Sequence, residues 1–373
     1  MIAFDQLLGA EAADGMAAAR QPVKGKMMRT KGFIGLLLLS GIATGAAAEG
    51  SMTIVGWGGT WNDAYKAGVT DPFTAATGTA VTLDEWDGSL ARIRAMNESG
   101  AVTYDVVSVE APQLAIGCDE GLFAPLPATV AAEEPNYLPG TFHPCGIASD
   151  TWATVMVYDG SKMAEGPKSW ADFWDVKKFP GKRGMLGQAM YTLENALMAD
   201  GVAPADVYSV LRTPEGVDRA FAKLDEIKPN VVWWTSSSTA VQNLDAGEVV
   251  MTDMYNGRIT YDNENNGKDY RIVWEAGFFF GTDMWTIVSG SPNPAAATGF
   301  MEFFAKPENQ AGFPRLYGYG VGDRRAYDHL TDAQLARLPT APEHLPFGAS
   351  YDDAFWAGNQ EALETRFKAW LGQ

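Results

Sequence analysis

Carboxylates and large rings that follow apolar runs are where this chain has chemistry to offer. Glu110 comes directly after Val106-Val107-Ser108-Val109. A carboxylate just past a strand end faces the mouth of a cleft and can hold an ammonium; its plain alternative is a solvated surface acid. Trp57 and Trp61 flank Gly58-Gly59, a turn that lets backbone approach a ligand closely and leaves amides free at the start of a following helix. The same indoles packed in a core would bind nothing. Arg258 and Arg315 are a counter-signal: an Arg facing a cleft grips a carboxylate bidentately and points to an amino-acid or opine-like solute.

Catalytic chemistry has little to work with. The three His (His143, His329, His344) are scattered, and no Gly-x-Ser-x-Gly, His-Glu-x-x-His or phosphate-loop pattern occurs. Gly318-Tyr319-Gly320-Val321-Gly322 lacks dinucleotide spacing. A secreted enzyme is the rival class these absences disfavour, and no enzymatic activity, cofactor or metal is expected. Lys plus Arg number 28 against 46 for Asp plus Glu, a formal net charge of -18, which argues against nucleic acid or anionic lipid as partner. The 12 Trp are more than core filling demands, and Trp offers the best flat face to a cation.

Residues 1–48 are expected to lie outside the fold, as an upstream extension and an export signal. Met27-Met28-Arg29-Thr30-Lys31 is basic, Phe33 to Leu39 is apolar, and Ala46-Ala47-Ala48 has the small residues of a cleavage site. The apolar run is shorter than the roughly 20 residues that span a bilayer. The chain is thus expected in the periplasm. In an oxidising compartment the two Cys, Cys118 and Cys145, favour a disulfide, worth roughly 3 kcal/mol in the chain-entropy picture.

Elements that would carry these side chains alternate. Thr53 to Trp57 reads as a strand, Trp61 to Ala76 as a helix and Ala80 to Leu83 as a second strand, a βαβ start and hence a parallel sheet. The spacing predicts further helices at Gly88 to Ser99, Pro112 to Glu120, Ser169 to Trp174, Tyr191 to Ala199, Thr213 to Leu224, Ser238 to Ala246, Pro294 to Phe304, Thr331 to Leu338 and Asp353 to Leu371. Strands are predicted at Tyr104 to Val109, Thr151 to Tyr158, Met185-Leu186, Val231 to Trp234, Val249 to Thr252 and Met284 to Val288. Strands near 151–158 and 280–290 should cross between two domains.

Gly56-Trp57-Gly58-Gly59-Thr60-Trp61, Pro72-Phe73-Thr74-Ala75-Ala76-Thr77-Gly78, Tyr104-Asp105-Val106-Val107, Ser169 to Trp174, Phe179-Pro180-Gly181-Lys182, Gly247-Glu248-Val249 and Tyr255-Asn256-Gly257-Arg258 form an ordered set. That set resembles the periplasmic solute-binding proteins of ABC importers, the spermidine/putrescine-binding group in particular. The resemblance implies a two-lobe α/β periplasmic binding protein fold (type II), with a ligand cleft between lobes joined by crossing strands. It implies lobe I at 49–156 plus 284–335 and lobe II at 157–283 plus 336–373. The implied partners are a small cationic solute, such as a polyamine or related amine, and a membrane permease; a monomer is expected.

By the same resemblance, Asp283, beside Trp285, matches the acidic position on the second crossing strand, and Tyr255 an aromatic wall. Gln188 and Tyr191 stand where polyamine receptors carry two acids, a departure that weakens the case for a diammonium ligand. Trp234 with Ser236, and Tyr319, would complete a ring-lined box, each ring having a core-packing alternative. The expected ligand-binding set is therefore Trp57, Trp61, Glu110, Gln188, Tyr191, Trp234, Ser236, Tyr255, Asp283, Trp285 and Tyr319.

Overall fold

β-rich runs set the frame in the computed structural model, which describes residues 50–373; the segment read as an export signal lies outside the described residues. β1 (Ser51–Gly56), β2 (Ala80–Glu85) and β3 (Val106–Glu110) run parallel in the order β2-β1-β3. The helix expected over Trp61 to Ala76 is two, Gly59–Tyr65 and Asp71–Thr77, joined by a π-helical stretch at Lys66–Thr70. Gly78 ends it in the left-handed region (φ 76°), donating its N–H to the Thr74 carbonyl at 2.8 Å.

β4 (Phe142–His143) precedes β5 (Gly146–Asp159), which is buried along its whole length. Its start escaped the pattern because Ser149-Asp150-Thr151 interrupts the apolar run. β6 (Arg183–Leu186), β7 (Val231–Trp234) and β8 (Met251–Tyr255) form a second parallel group, ordered β8-β6-β7. β9 (Tyr270–Ile272), β10 (Phe278–Ile287) and β11 (Gly348–Ser350) complete the strands of the described residues. β5 and β10 pair antiparallel and connect the groups: β3 lies against β10, and β8 against β5. Both strands run longer than the sequence pattern indicated, since Gly281-Thr282-Asp283 masks the front half of β10.

Local chemistry fixes these elements. Ser169 caps the helix Trp170–Trp174, accepting the Asp172 N–H at 3.2 Å. Beyond it, Arg183 is fully buried and its guanidinium donates to the carbonyls of Phe173, Gly181 and Phe179 at 2.6, 2.6 and 2.8 Å. It therefore staples the Phe179-Pro180-Gly181 turn to β6. Asn256-Gly257 opens the helix Asn256–Asn265, which was not among the expected elements. Asn256 accepts the Ala153 N–H at 3.0 Å and donates to the Gly318 carbonyl at 2.6 Å, so its side chain ties the helix to β5. Gly257 is required by close approach: a Cβ there would meet the Tyr319 and Tyr317 rings at 2.4 and 2.5 Å. Cys118 and Cys145 are disulfide-bonded, with Cα atoms 6.1 Å apart.

Candidate binding site

The carboxyl ends of both parallel groups converge where β5 and β10 cross, around a cavity of about 240 Å³. β1 ends into Trp57 and Gly58, with Trp61 one helical turn further; β3 ends in Glu110. From the other group come Tyr191 after β6, Ser237 after β7, and Tyr255 with Arg258 after β8. The crossing strands supply Trp152 and Asp283, and Tyr317 and Tyr319 close the box. Open α/β sheets place ligands at such strand ends.

One side is acidic. Asp283 of β10 stands directly opposite Glu110 of β3 and Asp150 of β5, so three carboxyl groups lie in a cross-strand row. Asp283 accepts the Trp152 indole N–H at 3.0 Å; Asp150 accepts the Trp61 indole N–H at 3.2 Å and the Ser149 hydroxyl at 3.3 Å. No Lys or Arg forms an ion pair with any of the three among the described residues. Burial holds the Asp150 carboxyl up to about 8. Burial, reinforced by Asp150 and Glu110, lifts Asp283 well above the usual carboxylate range, and Glu110 is raised chiefly by burial.

The other feature is a single cation. Arg258 donates from Nη1 to the Thr60 hydroxyl, its Nε is buried without a partner, and it makes no ion pair among the described residues. Asp262, one turn along the same helix, feels its charge. The Thr60 hydroxyl also bonds the Tyr317 phenol at 3.1 Å, which steadies the guanidinium at the cavity wall. Arg315, in contrast, is half-buried away from this cavity and donates to the His329 carbonyl at 3.0 Å.

Rings fill the space between. Trp152 meets Tyr255 and Tyr191 edge-on at centroid distances of 5.6 and 6.0 Å, and Tyr317 meets Tyr319 at 5.0 Å. Tyr191 is the one non-glycine residue with positive φ (75°) among the described residues. A tyrosine there costs about 1–3 kcal/mol of backbone strain, tolerated where packing fixes the side chain.

Of the residues expected at the site, the structure brings together Trp57, Trp61, Glu110, Tyr191, Tyr255, Asp283 and Tyr319. Four others stand outside this cavity. Trp234 is buried behind it, donating to Asp253 at 2.9 Å, and Trp285 is a core residue whose indole meets the Tyr65 hydroxyl at 3.2 Å. Ser236 is spent as the cap of the helix Ser237–Ala246, and Gln188 is exposed ahead of the helix Ala189–Ala199. Sequence reasoning missed Trp152, Ser237, Tyr317 and the buried Asp150. The available signal was an acid inside an apolar strand, Asp150-Thr151-Trp152. Cys118, His143 and Cys145 cluster within 4.8 Å, but the disulfide uses both thiols.

Two sheet groups around a cavity at their crossing strands define a two-lobe binding protein of the periplasmic type. The profile of the bacterial extracellular solute-binding protein family matches residues 68–341, and the chain belongs to that family. It is similar to the gamma-aminobutyric acid-binding protein of Pseudomonas aeruginosa, 43% identical over 340 residues, covering 90% of this chain and 96% of that one. Among solved structures it resembles an ABC transporter substrate-binding protein from Bradyrhizobium japonicum (TM-score 0.76, 31% identity, 86% of this chain and 99% of that one). The Atu4243-GABA receptor is also similar (TM-score 0.73, 28% identity, 86% and 97% covered). The finer expectation of the spermidine/putrescine group finds no such support: a spermidine/putrescine-binding protein from Streptococcus pneumoniae is 19% identical and shares the fold. No helix of the described residues is long and apolar enough to cross a membrane.

Proposed function

We propose that this protein captures a small ω-amino acid, γ-aminobutyrate or a close homologue, in the periplasm and delivers it to an ABC permease without chemical change. The ligand's ammonium lies against Asp283 and Glu110, its carboxylate on Arg258, and the rings exclude water between them. The observation that carries this reading is one guanidinium with no internal carboxylate partner sharing a cavity with a row of acids. A diamine would place its second cation near Arg258, where like charges repel; a zwitterion satisfies both ends. A cavity of about 240 Å³ suits a ligand below drug size and leaves little room for the sugar-derived half of an opine. The relatives named for γ-aminobutyrate support the same class. The lobes are 49–156 with 284–335 and 157–283 with 336–373, and ligand contacts made by both favour the closed state. The basic and apolar segments before residue 49 support export.

A thermal-shift screen of γ-aminobutyrate, β-alanine, 5-aminovalerate, α-amino acids, opines, putrescine and spermidine tests this. A ligand at 100 times its Kd adds about 2.7 kcal/mol of stability. The ω-amino acids should raise Tm and the diamines should not; a shift with putrescine equal to that with γ-aminobutyrate contradicts the reading.

A further inference from the structure

The acid row is more than an ammonium clamp needs. An ammonium requires one or two carboxylates, yet three carboxyl groups stand side by side on β3, β10 and β5, and the third, Asp150, does not line the cavity. Asp150 is wholly buried, and its Oδ1 has no hydrogen-bond partner. Adjacent buried carboxyl groups with no cation between them cannot all ionise. The groups that face the row supply no compensating charge. Trp61 and the Tyr65 phenol come from the first helix, Trp152 and Ser149 from β5, and Tyr255 from the end of β8. Tyr319 and Tyr317 add neutral phenols, and Asp353 at the start of the C-terminal helix adds another acid facing Glu110. The nearest cation lining the cavity, Arg258, is tied to Thr60.

We propose that the row Glu110–Asp283–Asp150 keeps a proton in the empty site, shared between Asp283 and Asp150, and releases it when the ligand's ammonium enters, so that capture is coupled to proton release. The exchange balances in charge: one ammonium enters the row, one proton leaves a carboxyl group for solvent, and no bond in the ligand changes. Desolvation of Asp150 and Asp283 raises both in the empty protein, in keeping with a retained proton. Affinity therefore rises with pH through the titration of the pair, by up to about tenfold per unit for one proton. This inference rests on the amine-binding reading above and adds a role for Asp150 that does not require contact with ligand. Asp150 is a positioning residue for charge.

Calorimetric titration with γ-aminobutyrate at pH 7, in phosphate and in Tris, counts the protons, because the two buffers differ in ionisation enthalpy. The expected result is release of about one proton by the wild type. In Asp150→Asn the release should fall to a small fraction and the pH dependence of Kd should flatten, while a lost charge contact alone would change Kd and leave the proton count. Equal enthalpies in both buffers overturn the proposal. Infrared difference spectra give a second reading that does not depend on the variant's folding. Adding ligand should remove a protonated-carboxyl band from the wild type, and the bands of Asp253 and Glu194, which stand outside the cavity lining, should cancel in the difference. Ligand binding without loss of that band also overturns it. If no amine binds, the ligand-free spectrum of wild type minus Asp150→Asn decides: a protonated-carboxyl band present only in wild type supports the proton-holding row and refutes the ω-amino-acid reading, and its absence refutes the row.

Discussion

At the scale of single residues, the division of labour is between Arg258 and the acids. Arg258→Ala should weaken γ-aminobutyrate binding by about 2 kcal/mol or more, roughly 30-fold, because a charge-assisted bidentate contact is lost and the ligand's carboxylate is left unpaired. Putrescine, which gains nothing from a guanidinium, should bind the variant at least as well as it binds wild type. Equal losses for both ligands in calorimetry would assign Arg258 to fold maintenance. The acids make a second expectation about the empty protein. Asp150 and Asp283 have folded-state pKa values above those of the unfolded chain, so the native state binds more protons. Their contribution to stability is full below the unfolded carboxylate range and is lost as pH rises through about 8 for Asp150. Urea unfolding of the ligand-free protein should thus give less stability at pH 8.5 than at pH 6, and Asp150→Asn should shrink that difference; an unchanged slope in the variant would show that Asp150 is ionised throughout.

Elements explain which of these residues were legible beforehand. Val231–Trp234, Pro294–Phe304 and the helix Asp353–Leu371 match the sequence pattern at both ends, because their apolar spacing is uninterrupted and their boundaries carry turn residues. β5 and β10 were only half visible, since a strand that carries site residues breaks the apolar pattern at the site itself. Asp150 was missed for that reason, and Trp152, though inside an expected strand, was not singled out; Glu110 was found at a strand end and Asp283 through the family resemblance. Arg258 was seen but not oriented, because the helix that aims it, Asn256–Asn265, anchored by the Asn256 hydrogen bonds to Ala153 and Gly318, was not among the expected elements. Trp234 illustrates the opposite error: a ring at the end of a strand, as expected, but turned inward to Asp253. The Phe179-Pro180-Gly181 turn makes an expectation at this scale. Arg183→Leu strands several buried carbonyls, each costing about 1–3 kcal/mol when left unpaired. Its midpoint in urea should fall by the equivalent of about 3 kcal/mol, with ligand affinity of the folded fraction unchanged; a loss under 0.5 kcal/mol, on the order of an ordinary surface substitution, would mean that water replaces the guanidinium.

The molecule as a whole is two parallel strand groups held by two long crossing strands, with polarity sorted at their junction: carboxyl groups on β3, β5 and β10, a guanidinium beyond β8, rings between. The class of protein was legible from the ordered motifs, while the ligand was not, because choosing between a diamine and an amino acid depends on where one Arg points, and that is a tertiary fact. The most direct test is a crystal structure of the complex with γ-aminobutyrate. The ligand should lie in the cavity with its carboxylate paired to Arg258 and its ammonium against Asp283 and Glu110. A carboxylate held elsewhere with Arg258 still bonded only to Thr60, or an empty cavity at saturating ligand, would contradict the account.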